Sequence, residues 1–575
     1  MSYDLVPLAA PRLTGRALRA VARLLESGLL GAPLARKLLR DNGILGLRSI
    51  PAKEPFSLGP RLPLLEPTDP LEAPPAAGTI LEQAEALPAP RGASTSRFTT
   101  VTDFATSYRD GAVSPETVVD RLIAFVRESE QSAPPMRFFI NIDEEDIRRQ
   151  AKESADRLRA GKPRGPLEGV PLAVKDELDQ QGYPTTLGTR CRGSKIAHED
   201  ATVVARLRAA GAIMLGKTNM HEMGLGVTGI NPHHGPARNP YDPTRVTGGS
   251  SSGSAAVVAA GLCPIAIGAD GGGSIRIPAG FCGVVGLKAT RGRMSEHGVV
   301  PLCWSVAHVG PIGATVRDTA LAYALLAGSD EADHITAGQP PPTLAGVGDE
   351  DLDGLRIGVF PPWFDDADQE VRETCHGALD KLQERGAELV EVAIPELKLL
   401  RTVHLVTIVC EMAASLASRP EIVRTKLAGD TRLSLALSER LRGSDYIHAQ
   451  RHRARLEEHF EALLGSRAAP RQAPVDVLAT PMSGCLPPVI RAQALASGES
   501  DIALLDRIMR FAQPANITGL PALSVPVGSS ATGLPIGLQL MGRAWDEALL
   551  LRLALALETT WERRTPPVYC RLLED

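Results

Sequence analysis

Between residues 14 and 42 apolar side chains return every three or four positions. Leu18, Val21, Ala22 and Leu25 share one helical face, and Thr14 stands where an N-cap belongs. The opposite face carries Arg16, Arg19 and Arg23, followed by Arg36, Lys37 and Arg40. A basic amphipathic helix has two uses. Its apolar stripe meets a lipid surface or ligand entrance, or it packs on the protein and leaves the cations in water. Residues 51–96 lose this period. Ten prolines, from Pro51 to Pro90, fix φ and remove N–H donors, which predicts a linker or wrapping arm.

From Phe98 onward the pattern is regular. It predicts helices over 115–130, 143–160 and 200–211, and strands over 167–175, 212–216 and 265–267. Near the end, 522–528 and 533–541 read as strands and 546–560 as a closing helix. Helix and strand alternate, which predicts an α/β sheet with helices on its faces. The expected division is an N-terminal extension, residues 1–96, and a main domain, residues 97–575.

Composition narrows the function. Of 575 residues, 43% are apolar and 22% charged, as in globular chains with a large core. The net charge of −5 and an aromatic content of 4% supply neither a phosphate-binding surface nor stacking platforms, so no nucleic-acid partner is expected. The eight cysteines form no CxxC pair and read as reduced, mostly buried thiols of a cytosolic protein. Residues 1–50 do not read as a signal peptide, and no run of 18 apolar residues predicts a spanning helix.

Three stretches suggest chemistry. Gly211 to Thr218 fits GxxxxGK[ST], but four apolar, strand-like residues occupy the place of the phosphate-cradling loop, so nucleotide binding is not expected. Gly249–Ser250–Ser251–Ser252–Gly253 fits the GxSxG elbow, which makes Ser251 a nucleophile and requires an acid and a histidine downstream. His297, His308, His404, His448 and His452 follow, none in a distinguishing context. Around Ser274 the chain reads Asp270–Gly271–Gly272–Gly273–Ser274–Ile275–Arg276. Three glycines let the backbone approach a carbonyl and aim N–H groups at a developing oxyanion.

A serine needs a base, and the glycine-rich stretches contain no histidine. Other serines relay protons but do not keep them. A lysine held neutral by burial does. Lys175 is the best candidate because it ends the apolar run Val170–Val174; Lys217 and Lys288 are weaker ones. Asp176 and Glu177 would favour its charged form and are expected to point elsewhere. His233–His234 is the only adjacent histidine pair, with no carboxylate or cysteine at ligand spacing, so neither metal nor cofactor is expected.

Taken together, Val174–Lys175–Asp176, Thr247 to Ala255 and Asp270 to Arg276 resemble the signature of the amidase signature family. The 24-residue step from Ser250 to Ser274 is the family's own. Segments 216–222, 238–240, 516–526 and 533–539 are similar as well. The resemblance implies a large mixed twisted β-sheet covered by helices on both faces, with the N-terminal helices as an extension. It implies that Ser274 attacks the carbonyl and forms the acyl-enzyme, that Ser250, on an unusual cis peptide, shuttles the proton, and that neutral Lys175 is the base. The N–H groups of Gly271, Gly272, Gly273 and Ser274 would form the oxyanion hole. Ser251, Asp270 and Arg276 would brace the loop. Ser252 replaces a glycine frequent in the family.

Outside the signature, Ala10–Gly15, Arg40–Gly43, Thr228–Asn231, Ser444–Ile447 and Met541–Arg543 resemble the plant fatty acid amide hydrolase subgroup. That implies a small-molecule, lipid-like amide such as an N-acylethanolamine, a homodimer and peripheral membrane contact through the N-terminal helices. Residues 329–450 match less clearly. The alternatives are an aryl acylamidase, urethane or ester hydrolase with the same triad, an ammonia-generating component like that of glutamyl-tRNA amidotransferase, and an inactive scaffold. Intact Lys175, Ser250 and Ser274 argue against the last.

Overall fold

The computed structural model describes residues 3–8, 10–27, 30–50, 79–88, 97–191, 195–419, 421–465, 473–561 and 563–574. Two helices, not one, occupy residues 14–42: Gly15–Glu26 and Ala32–Asp41. Pro33 explains the break, since proline collides with the preceding turn inside a helix but fits the first turn, where it sits. Thr14 precedes the first helix without capping it, and pairs as a short strand with Glu499. Leu18, Ala22 and Leu25 are buried against Leu433 and Ala436 of the Gly429–Ser438 helix. Arg16, Arg19, Arg23, Arg36, Lys37 and Arg40 are exposed. The apolar stripe therefore packs on the protein and the cations face water.

Of the expected arm, residues 51–78 and 89–96 lie outside the described residues. Between them Ile80–Glu85 is helical, started by a capping box of Thr79 and Glu82. Ala84 enters the core, and Gln83 Oε1 accepts the Leu344 N–H at 2.8 Å.

Among the described residues, an eleven-stranded mixed sheet forms the centre. Its strands in chain order are β1 Phe139–Asn141, β2 Pro171–Lys175, β3 Ile213–Thr218, β4 Ile265–Asp270, β5 Val285–Lys288 and β6 His308–Gly313. They continue as β7 Arg356–Val359, β8 Glu388–Glu391, β9 Val477–Pro481, β10 Ala522–Ser529 and β11 Pro535–Gly542. The order across the sheet is β8-β7-β9-β11-β10-β5-β6-β4-β2-β3-β1. Helices cover both faces, including Pro115–Gln131, Glu144–Arg159 and Glu547–Glu558 at the expected places.

Two parallel strands position the site. β2 pairs β4 through Leu172–Ile265, Ala173–Ala266 and Val174–Ile267, so Lys175 and Asp270 stand at adjacent C-terminal ends. All five residues of β2 are buried, as its unbroken apolar run requires of a strand covered on both faces. The P-loop match is the buried strand β3 with its preceding turn. Among the described residues one helix, Leu397–Ala417, is long and apolar enough to cross a bilayer by length and composition. It is mostly buried, contains Arg401 and Glu411, and packs on the Gly443–Leu464 helix, as a core helix does.

Candidate active site

Lys175, Ser250 and Ser274 meet on one cavity of ≈ 230 Å³. Lys175 is 0% exposed, Ser250 2% and Ser274 5%. Lys175 Nζ lies 2.8 Å from Ser250 Oγ and 3.1 Å from Ala269 O. Ser250 follows a cis Gly249–Ser250 peptide. The Ser251 N–H donates to Ser274 O at 3.2 Å, tying the two serine segments together. The Ser274 hydroxyl lines the cavity and makes no hydrogen bond among the described residues.

The glycine loop is held from behind. Burial pushes the Asp270 carboxyl up, but Arg276, Asn516 and the Gly273 N–H outweigh it and hold it well below the usual range. Arg276 Nε and Nη2 reach the two Asp270 oxygens at 2.9 and 3.0 Å, with both side chains fully buried. Asn516 Nδ2 donates to Asp270 O at 2.8 Å and to Val306 O at 3.1 Å. The Gly273 N–H donates to Asp270 Oδ1 at 2.6 Å. Of the four N–H groups expected to face a substrate, Gly273's is therefore turned inward. Those of Gly271, Gly272 and Ser274 make no hydrogen bond among the described residues. A Cβ at Gly272 would sit 2.9 Å from His404 Cε1, and Gly273 has φ +106°, so neither position accepts a side chain without strain.

Several participants carried no recognisable sequence signal. The His404 Nε2–H donates to Gly271 O at 2.8 Å, and burial pulls its pKa down to about 4, so it is a neutral donor at pH 7. Gln539 accepts from Arg276 and donates to Phe511 O at 2.8 Å. Asn516 and Gln539 lie within segments that resemble the family, and that resemblance is the one clue to them along the chain. Glu177 contradicts the expectation that it points away: its Oε2 is 2.7 Å from Lys175 Nζ. Asp176 does point away, toward Thr186, Gly188 and Lys217. Both follow from the turn after the strand, closed by the Leu178 N–H donating to Lys175 O at 3.1 Å, which sends the two side chains to different sides.

The other candidates are placed elsewhere. Ser251 Oγ is buried 3.3 Å from both Ala269 O and Ala269 N, inside the wall. Lys217 donates to Leu178 O and Thr185 Oγ1. Burial lowers the Lys288 pKa to about 7, but its Nζ donates to Ala289 O at 2.8 Å, away from the cavity. The fold brings Cys191 and Glu222 within 4.8 Å of His233, donors absent from its sequence neighbourhood. Both Glu222 oxygens are already engaged, one by His233 Nε2 and one by the Ala428 N–H.

Most of the rest of the cavity is apolar, with Arg401, Asp506 and Gln513 among its polar lining residues. Met223, Leu302, Ile408, Met412, Leu437 and Met509 line it. The N-terminal extension adds Leu8, Asn42 and Ile44. All eight cysteines are free, and all but half-buried Cys410 are buried.

Comparison with known proteins agrees with this architecture. The Amidase family model matches residues 120–551. A fatty acid amide hydrolase of Medicago truncatula is 39% identical over all of this chain and 97% of its own length. One component of the glutamyl-tRNA(Gln) amidotransferase of a Roseiflexus strain is 36% identical over 81% of this chain and 98% of its own. The solved peptide amidase of Stenotrophomonas maltophilia superposes with a TM-score of 0.69 at 29% identity, over 82% of this chain and 99% of its own. The chain belongs to the amidase signature family and is an amidohydrolase.

Proposed function

We propose that the protein hydrolyses the C–N bond of amides carrying a fatty acyl group, N-acylethanolamines among them, through an acyl-enzyme on Ser274. The apolar wall of the cavity that ends on Ser250 and Ser274 carries this reading. Lys175, acting as the base, takes a proton from Ser250, and Ser250 takes one from Ser274. Ser274 Oγ bonds to the carbonyl carbon as the carbonyl electron pair moves onto oxygen, where the Gly271, Gly272 and Ser274 N–H groups receive it. The C–N bond then breaks, Ser250 gives its proton to the departing nitrogen, and Lys175 returns one to Ser250. Water repeats the sequence and releases the acid. The ammonia-supplying alternative accounts for neither the apolar lining nor the contribution of Leu8 and Ile44 to it.

The test is a fluorophosphonate probe followed by long-chain amides and short aryl amides. Labelling at Ser274 with faster turnover of the long-chain amide is the expected result. Preference for the short aryl amide would keep the mechanism and reassign the substrate to an aryl amide or carbamate.

We place this activity in a cytoplasmic homodimer that touches membranes peripherally. With Leu18 and Leu25 buried, contact would fall to the exposed cations and to Leu30, which is 76% exposed. Sedimentation with anionic vesicles should therefore exceed that with zwitterionic vesicles and fade as salt rises. Equal binding to both would remove this surface from the proposal.

A further inference from the structure

We propose that Glu177 is a positioning residue for Lys175 that acts through its charge: it stabilises the ammonium formed when Lys175 takes the proton from Ser250. This rests on Lys175 being the base. Three oxygens surround Nζ: Ala269 O at 3.1 Å, Ser250 Oγ at 2.8 Å and Glu177 Oε2 at 2.7 Å. The first two contacts have hydrogen-bond geometry, whereas Glu177 Oε2 lies at ion-pair distance and has no hydrogen-bond partner among the described residues. Its effect on the amine is therefore electrostatic.

When the proton moves from Ser250 Oγ to Nζ, the new cation lies beside a carboxylate in a water-poor site. Both side chains are nearly fully buried, and both line the cavity. The charged surroundings fit the assignment. Asp176 faces Lys217 at 3.6 Å, and Glu411 binds the Ser305 N–H and the Tyr446 hydroxyl. Burial pushes Glu296 up to about 8, with Asp333 and Glu177 adding to it, so it is a neutral acid at pH 7, 3.7 Å from His308. Burial, with Glu411, Glu177 and Glu296 adding, keeps the Cys303 thiol protonated.

The test is the pH dependence of fluorophosphonate labelling and of kcat/KM on a long-chain aryl amide, for wild type, Glu177→Gln, Glu177→Asp and Ser274→Ala. A nearby negative charge favours the ammonium, so Glu177→Gln should shift the acid limb down by about one pH unit or more. It should also label on the order of tenfold more slowly at the plateau, because the forming cation has lost its partner. Glu177→Asp keeps the charge and should keep the limb in place with an intermediate rate. A Glu177→Gln limb superposed on wild type, or an Asp limb shifted equally far, overturns the role of Glu177. Labelled Ser274→Ala would instead overturn the proposed mechanism, and this inference with it.

Discussion

Ser274→Ala should lose amide turnover by on the order of 10⁴-fold or more in kcat, while unfolding at the wild-type temperature. The two halves have separate causes. The substitution removes the atom that attacks, so only hydrolysis by bound water remains. It removes no internal hydrogen bond, because the Ser274 hydroxyl makes none among the described residues. Lys175→Ala should fall nearly as far, since a base 2.8 Å from Ser250 Oγ is the only proton sink at that hydroxyl in this mechanism. The double variant should be little worse than either, because residues acting as one unit are not additive. Kinetics on a long-chain amide and a thermal melt decide the matter. Full activity of Ser274→Ala, or loss of activity in Ser251→Ala alone, would return the elbow reading.

Arg276→Met should destabilise the protein by about 3–5 kcal/mol, the cost of leaving one member of a buried pair alone. Asp270 would lose its 2.9 and 3.0 Å contacts and remain fully buried. The deficit should also depend on pH. In wild type the folded carboxyl is held below the unfolded value of about 3.9, so its contribution is fully present above that and constant from pH 5 to 8. In the variant, burial is no longer opposed by Arg276, only by Asn516 and backbone N–H groups, and raises the folded value. The folded state then binds the extra proton, and stability falls as pH rises. Denaturant midpoints should therefore differ more from wild type at pH 8 than at pH 5. A constant difference would mean that Asn516 and the Gly273 N–H hold the carboxylate without help. Since Asp270 also fixes the glycine loop, residual folded Arg276→Met should be slow.

How much of this is legible along the chain depends on the distance over which each signal acts. An apolar run ending in a lysine is a local fact, and it places Lys175 at the end of a buried strand. Glycines before Ser274 are local too, as is the short step that returns the chain from Ser250 to Ser274. The Leu18, Ala22 and Leu25 stripe predicts a one-sided helix, but not what covers it. Pro33 divides that helix for a local reason, the fit of proline to a first turn. The capping box at Thr79 and Glu82 is likewise local, within a proline-rich stretch.

The rest required the fold. Asn516 and Gln539 reach Asp270 and Arg276 across more than 230 residues, and no period or spacing links them. His404 meets Gly271 because a long core helix crosses the glycine loop. Cys191, Glu222 and His233 come from three separate segments. Side-chain direction also changes at element ends: β2 stops at Lys175, and the turn over residues 176–177 brings Glu177 back beside it. The sequence by itself determined the candidate groups and their order along the chain, because glycine freedom, apolar runs and serine spacing act over a few residues. Only the tertiary structure decided what holds those groups together, which N–H groups stay open to the cavity and what lines it, because those contacts join segments that meet only once the sheet has formed.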